Sequence, residues 1–142
     1  MKETVIAGEN TGRQSEIITF PYGLIGLEAY RQFIIRAASE ESAFWRLQSV
    51  EDENFGLVIT NPFWFMPDYE FELPDQYAAQ MTDTENMHVY VTVAVASDLK
   101  DCTVNLLGPI VISADLRTGF QVIAADRGYK AKHKLTELLA GG

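Results

Sequence analysis

Thiols, imidazoles and cations are all scarce in this chain. Among 142 residues there is one cysteine, Cys102, and two histidines, His88 and His133. A single cysteine excludes an internal disulfide framework and a four-cysteine zinc site, and neither histidine stands in a zinc-binding motif. No metal or other cofactor is expected. Lys and Arg number 11 against 20 Asp and Glu, a formal charge of −9. That deficit of cations argues against direct nucleic-acid binding, which rests on contacts to phosphate, and equally against an anionic membrane surface. The sequence holds no Gly-x-Ser-x-Gly element, phosphate-binding loop or dinucleotide fingerprint, so catalysis is not expected. No apolar run approaches the roughly 18 residues of a spanning helix; the longest, such as Val89–Ala96, have the length of a strand. The opening MKETVIAGENTGRQSE lacks the apolar run of a secretory signal. These absences together lead us to expect a cytoplasmic protein, and nothing in the sequence demands more than a monomer.

Acid is abundant, and unevenly placed. Residues 1–36 balance four bases against four acids, residues 37–126 carry three bases against fifteen acids, and residues 127–142 carry four bases against one acid. The chain is thus a body of net −12 followed by a tail of net +3. Such a body is either a solvated surface or a docking face for a basic protein.

Apolar residues occur as short β-branched and aromatic runs between turn residues, without repeats or a linker, which is the pattern of one all-β domain over residues 1–142. Thr4–Ala7 and Ile17–Phe20 read as a first strand pair. Gln32–Arg36 follows, then Phe44–Val50 and Phe55–Thr60 as a hairpin turning at Glu51–Asn54. Pro62 and Pro67 interrupt the ladder, since neither donates a backbone hydrogen bond. Asp68–Leu73 alternates strictly, with Tyr69, Phe71 and Leu73 on one face and Asp68, Glu70 and Glu72 on the other. Pro74–Met81 reads as a helix, with proline in its first turn and Asp75 at its positive end. Met87–Ala96 is a central strand, Thr103–Ser113 gives one broken strand or two short ones, and Asp115–Gly119 turns the chain into Phe120–Ala125. Residues 135–142 read as a helical end. The expected fold is all-β and mainly antiparallel, a barrel-like arrangement or roll of eight to ten short strands with one short helix.

Two constellations stand out. Carboxylates two positions apart on a strand lie roughly 7 Å apart at Cα, too loose to chelate one ion, so Asp68, Glu70 and Glu72 form either a solvated face or a binding face for Lys and Arg of a partner. Phe63, Trp64, Phe65 and Met66 are either core or, in part, an exposed aromatic patch of the kind enriched in protein interfaces. A reading of another class is a small-molecule-binding β-barrel lined by His88 and Tyr90.

Three stretches carry a resemblance. ITFPYGLIGLEAYRQF (Ile18–Phe33), FWRLQSVEDENFGLVITNPFWFMPDYEFELP (Phe44–Pro74) and TVNLLGPIVISADLRTGFQVI (Thr103–Ile123) resemble, in order and spacing, the flagellar assembly factor FliW family. Leu27, Tyr22 and Asn61 depart from the family pattern; Asn61 stands where aspartate often precedes Pro-Phe, which removes one charge from the acidic set. The resemblance implies a non-enzymatic bacterial cytoplasmic protein with a barrel-like all-β fold. It implies two competing partners: flagellin, and the translational regulator CsrA, a small basic RNA-binding dimer whose repression of flagellin mRNA the factor relieves by an allosteric route. Free flagellin would thereby set its own translation. On this basis Glu51, Asp52, Asp68, Glu70 and Glu72 are expected to dock a basic partner electrostatically. Phe63 and Phe65, with Asn105, Leu106, Leu107 and Pro109 of the Asn105–Pro109 stretch, are expected to form or support an apolar contact.

Overall fold

The computed structural model describes residues 17–37, 43–79, 87–114, 116–125 and 127–141. Nine strands follow one another as β1 (Ile18–Thr19), β2 (Gln32–Ala37), β3 (Phe44–Ser49), β4 (Gly56–Thr60), β5 (Met87–Ala94), β6 (Thr103–Val104), β7 (Ile110–Ser113), β8 (Thr118–Gln121) and β9 (His133–Lys134). Two short helices, α1 (Asp75–Ala78) and α2 (Leu135–Gly141), and two 3-10 turns, Pro62–Trp64 and Leu99–Asp101, complete the described elements. The strands pair in the order β4-β3-β2-β1-β8-β7-β5, and β5 returns to β4, closing a seven-stranded barrel. β6 and β9 extend the sheet from the C-terminal half of β5.

The expected all-β fold is therefore what forms, and its pairing is antiparallel except at one seam. Thr19 of β1 meets Thr118 of β8 in parallel. Hairpin neighbours in a chain pair antiparallel; β1 and β8 are too far apart in sequence for that constraint to apply. The Phe44–Thr60 hairpin forms with Trp45 opposite Ile59 and Leu47 opposite Leu57. Thr4–Ala7 lies outside the described residues, and the two edges of β1 are taken by β2 and β8.

Both faces of the barrel wall are covered, which explains why β5 is apolar on one face and amphipathic on the other. Inside, Phe20, Phe33, Ile35, Trp45, Leu47, Ile59, Tyr90, Ile110 and Ile112 form one core. Burying each side chain of this size contributes about 1.5–3 kcal/mol before entropy. Gly119 is required here, because a Cβ at this position would come within 2.6 Å of the Phe20 ring. Gly23 answers a different need: its φ is +69°, and a Cβ would meet the Glu28 Cα at 2.7 Å.

Outside, the chain folds back on its own wall. Tyr69, Val91, Val93, Cys102, Val104, Leu106 and Leu135 form a second cluster, against which Phe63, Phe65, Met66 and Phe71 pack. A third, of Val111, Phe120 and Val122, is covered by Phe71, Leu73 and Tyr77. Two expectations change at this layer. Asp68–Leu73 keeps its alternation of exposed and buried residues, but it joins no ladder; Pro67 and Pro74 at its ends lack the N–H a ladder needs, and its Glu70 N–H goes to the Tyr129 hydroxyl instead of to a strand. The helix expected over Pro74–Met81 is described as Asp75–Ala78, with Pro74 as its N-cap. Its Tyr77 stacks on Phe120 at 4.7 Å between ring centroids; Met81, at i+4 from Tyr77, lies outside the described residues.

Candidate functional site

Of the two apolar sets expected to serve a partner, Phe63, Phe65 and Leu106 meet in the second, outer cluster, while Asn105 lines a crevice with Leu24, Ile25 and Gln121. Asn61 starts the first set. It is buried, and its Oδ1 accepts the Phe63 N–H at 2.9 Å, capping the turn that Pro62 opens. An aspartate would cap the same way, and a buried position adds nothing to surface charge. The Asn61 departure therefore leaves the acidic face intact. The turn divides the aromatic run: Phe63, Phe65 and Met66 pack inward on the cluster, while Trp64 stays 47% exposed and lies against Trp45 at 5.5 Å. The segment is core and surface at once.

Asn105–Pro109 meets this packing from the other side. Asn105 Oδ1 accepts the N–H groups of Leu107 and Gly108 at 3.0 and 2.9 Å, forming a side-chain-capped turn. Leu106 and Leu107 donate to the Lys130 carbonyl at 3.1 and 3.2 Å. Tyr69, 3% exposed, donates its hydroxyl to the Leu106 carbonyl at 2.6 Å. Burial pushes the Tyr69 phenol well above its ordinary ionisation range, with Tyr129 beside it adding to the effect. Leu106 and Pro109 are buried, so they hold this loop from beneath; Asn105 and Leu107 are the part-exposed members. Gln121 ties the loop to its neighbour, donating to the Gly108 carbonyl at 3.0 Å and accepting the Ile25 N–H at 2.8 Å.

The carboxylates fall into two sets. Glu51 accepts the N–H groups of Arg31 and Gln32 at 3.1–3.2 Å and so pins the start of β2. Asp52 accepts the Asn54 N–H at 2.9 Å within the β3–β4 turn. Both already have local structural work. Asp68, Glu70 and Glu72 are exposed along the extended segment above the outer cluster. The first base of the cationic tail returns to them: Arg127 Nη1 pairs with Glu70 Oε1, and its Nη2 lies 3.8 Å from Glu72, which is 91% exposed. At that exposure each pair contributes under about 1 kcal/mol. Three carboxylates against one guanidinium leave the stripe negative.

Arg127 and Tyr129 are neighbours of the acidic segment that the sequence did not single out. The segregation of charge into body and tail was the only signal for them, and it does not say which base folds back. Tyr129 lies tilted against Tyr69 at 4.8 Å between ring centroids and accepts the Glu70 N–H through its hydroxyl at 3.3 Å. His133 holds the same segment: its Nε2 accepts the Lys130 N–H at 2.8 Å. Burial and the Lys130 cation lower its pKa, against a smaller upward pull from Glu137.

Geometry for other chemistries is thin. The barrel interior, where His88 and Tyr90 point, is filled by the inner core. A crevice of about 150 Å³ lies among Leu24, Ile25, Leu57, Asn105 and Gln121, below the 300–1,000 Å³ usual for a small-molecule site. Among the described residues no group of three His, Cys, Asp or Glu side chains is placed to hold a metal ion. No described helix is long and apolar enough to cross a membrane.

Comparison with known proteins points the same way as the motifs. The family described as FliW protein matches residues 2–135. The flagellar assembly factor FliW of Caldicellulosiruptor saccharolyticus is 36% identical over 136 residues, covering 94% of this chain and 89% of that protein. Its counterpart in Alkaliphilus metalliredigens is 38% identical over 133 residues, covering 92% and 82%. A crystal structure of the flagellar assembly factor FliW superposes with a TM-score of 0.79 at 36% identity, covering 86% of each chain. Sequence, fold and relatives agree: this chain belongs to the FliW family.

Proposed function

We propose that this protein is a cytoplasmic flagellar assembly factor that binds flagellin and antagonises the translational regulator CsrA, coupling free flagellin to flagellin translation. It acts by binding, without catalysis. The observation that carries this reading is the coincidence of family membership with one outer face on which exposed acids border a half-buried aromatic cluster.

The face suits both partners for different reasons. A basic RNA-binding dimer is steered toward a body of net −12 by complementary fields, with an association rate that falls as salt rises. Carboxylates brought near its RNA-binding surface also repel phosphate, which weakens RNA binding without covering it. Flagellin termini, as amphipathic helices, call for an apolar strip beside charge. Phe63, Phe65, Asn105 and Leu107 supply that strip, supported by Leu106 and Pro109. Asp68, Glu70 and Glu72 supply the charge, with Glu51 and Asp52 adding to the field while they hold their turns.

The test is the double reversal Glu70→Lys with Glu72→Lys, followed by CsrA affinity at several salt concentrations. We expect weaker binding and a shallower salt slope with an unchanged fold. Unchanged affinity and slope would reduce the stripe to a solvated face. A pull-down with flagellin and CsrA added in turn checks the competition: each partner should displace the other.

A further inference from the structure

Beyond β8 the chain runs on through Val122–Ala124 into a turn at Ala125, bonded among the described residues along one edge only. Val122 N–H donates to the Pro109 carbonyl at 2.9 Å, and Ala124 N–H to the Leu107 carbonyl at 2.8 Å. In extended backbone, successive residues turn their polar groups to opposite edges. Ile123 and Ala125 therefore direct theirs away from this pairing, toward the edge that β1 occupies lower down. β1 ends at Thr19, beside Thr118, and does not reach them. Neither Ile123 nor Ala125 has a backbone hydrogen bond to another described residue.

This edge borders a groove of about 470 Å³ lined by Glu72, Ile123, Ala125 and Arg127. Ile123 is 52% exposed within it, a large apolar side chain beside an edge that no other described residue pairs. An open edge next to an apolar side chain is the arrangement that strand addition uses. Charge selects the occupant: Asp68, Glu70 and Glu72 outnumber Arg127, so a cationic segment is favoured and an acidic one repelled.

We propose that this edge takes an extended basic segment of a partner protein by strand addition. The segment lays its backbone on Ile123 and Ala125, a Lys or Arg against Glu72 and an apolar side chain on Ile123. The proposal rests on the function above only in placing a cationic partner at Glu70 and Glu72; the mode of recognition is its own.

The full chain is titrated with the peptide acetyl-Lys-Thr-Val-Thr-Lys-Thr-amide, whose Lys and Val side chains share one face of the extended chain, while backbone amide exchange is followed by NMR. Two control peptides carry Glu in place of both Lys, or N-methyl groups on the amides that would face the edge. We expect the Lys peptide to slow exchange at Ile123 and Ala125 at least fivefold. The Glu peptide should bind at least tenfold more weakly, and the N-methylated peptide should give no protection. Glu72→Lys should narrow or invert the preference between Lys and Glu peptides. Equal protection by the N-methylated peptide, with the Lys preference intact, overturns strand addition and leaves charge docking standing. Equal binding of Lys and Glu peptides overturns the cationic placement, here and in the proposed function. Ile123 and Ala125 amides already protected in the free full chain, as by its own residues 1–16, also overturn the proposal.

Discussion

Tyr69→Phe isolates a single bond that joins the acidic segment to the Asn105–Pro109 loop. The substitution keeps the ring and its contacts with Phe63, Phe71 and Tyr129, and it deletes the hydroxyl that reaches the Leu106 carbonyl at 2.6 Å. An ordinary hydrogen bond contributes about 1 kcal/mol net, and stranding a buried acceptor raises the cost toward 1–3 kcal/mol. With Tyr69 only 3% exposed, we take about 1.5 kcal/mol as the central value. Unfolding entropy of about 2.1 cal/mol/K per residue gives roughly 0.3 kcal/mol/K for this chain, so the expected loss is about 5 °C in Tm. The assay is thermal unfolding followed by circular dichroism, with Trp45 and Trp64 fluorescence as a second probe. An alkaline arm sharpens it. Burial raises the phenol pKa in the folded state, so wild type keeps this contribution below the unfolded value near 10 and loses it as pH rises further. Phe at this position has no such loss. A Tm change under about 1 °C, or parallel alkaline profiles for the two proteins, would refute the assignment of the loop's hold to this bond.

Three other outcomes follow from the packing and the charges. Gly119→Ala puts a methyl into the Phe20 ring and should cost about 1–3 kcal/mol, visible as an earlier urea midpoint with an unchanged slope. Arg127→Ala removes two ion pairs to exposed carboxylates together with a half-buried arginine stem and should shift stability by about 1 kcal/mol or less in chemical denaturation. His133 has a lowered pKa when folded, so the folded state disfavours its proton: stability is complete above about pH 6.5 and falls as pH drops through the folded value. His133→Gln keeps an acceptor for the Lys130 N–H and should flatten that decline in melts taken between pH 7.5 and 5.

The barrel was legible from the sequence because its strands alternate against turn signals: Trp45, Leu47 and Ser49 are the buried face of β3, as the spacing implied. The parallel β1–β8 seam was not, since a two-residue strand has no period to read and its partner lies about 100 positions away. The alternation of Asp68–Leu73 correctly placed Tyr69 inside and the acids outside, yet it could not separate a ladder strand from an extended strap. Both leave one face buried; only the flanking prolines tell them apart. Within the candidate site, the residues alone offer Phe63–Met66 as one aromatic run and only the family resemblance singles out Phe63 and Phe65; their half-burial depends on the turn that Asn61 caps. The return of Arg127 to Glu70 is a tertiary event across 57 positions, for which local sequence has no vocabulary.

The two-residue strand β1 has a consequence in time. Its pairing with β8 joins the first and last strands of the barrel in chain order, so Thr19 waits for Thr118 to be synthesised. At about 5–20 residues per second that wait is roughly 5–20 s, during which the antiparallel ribbon of β1 through β4 has an unsealed edge. Contacts this distant also make closure slow after release. The chain thus passes through a stage in which most of its strands exist and the barrel is still open, the stage most exposed to aggregation.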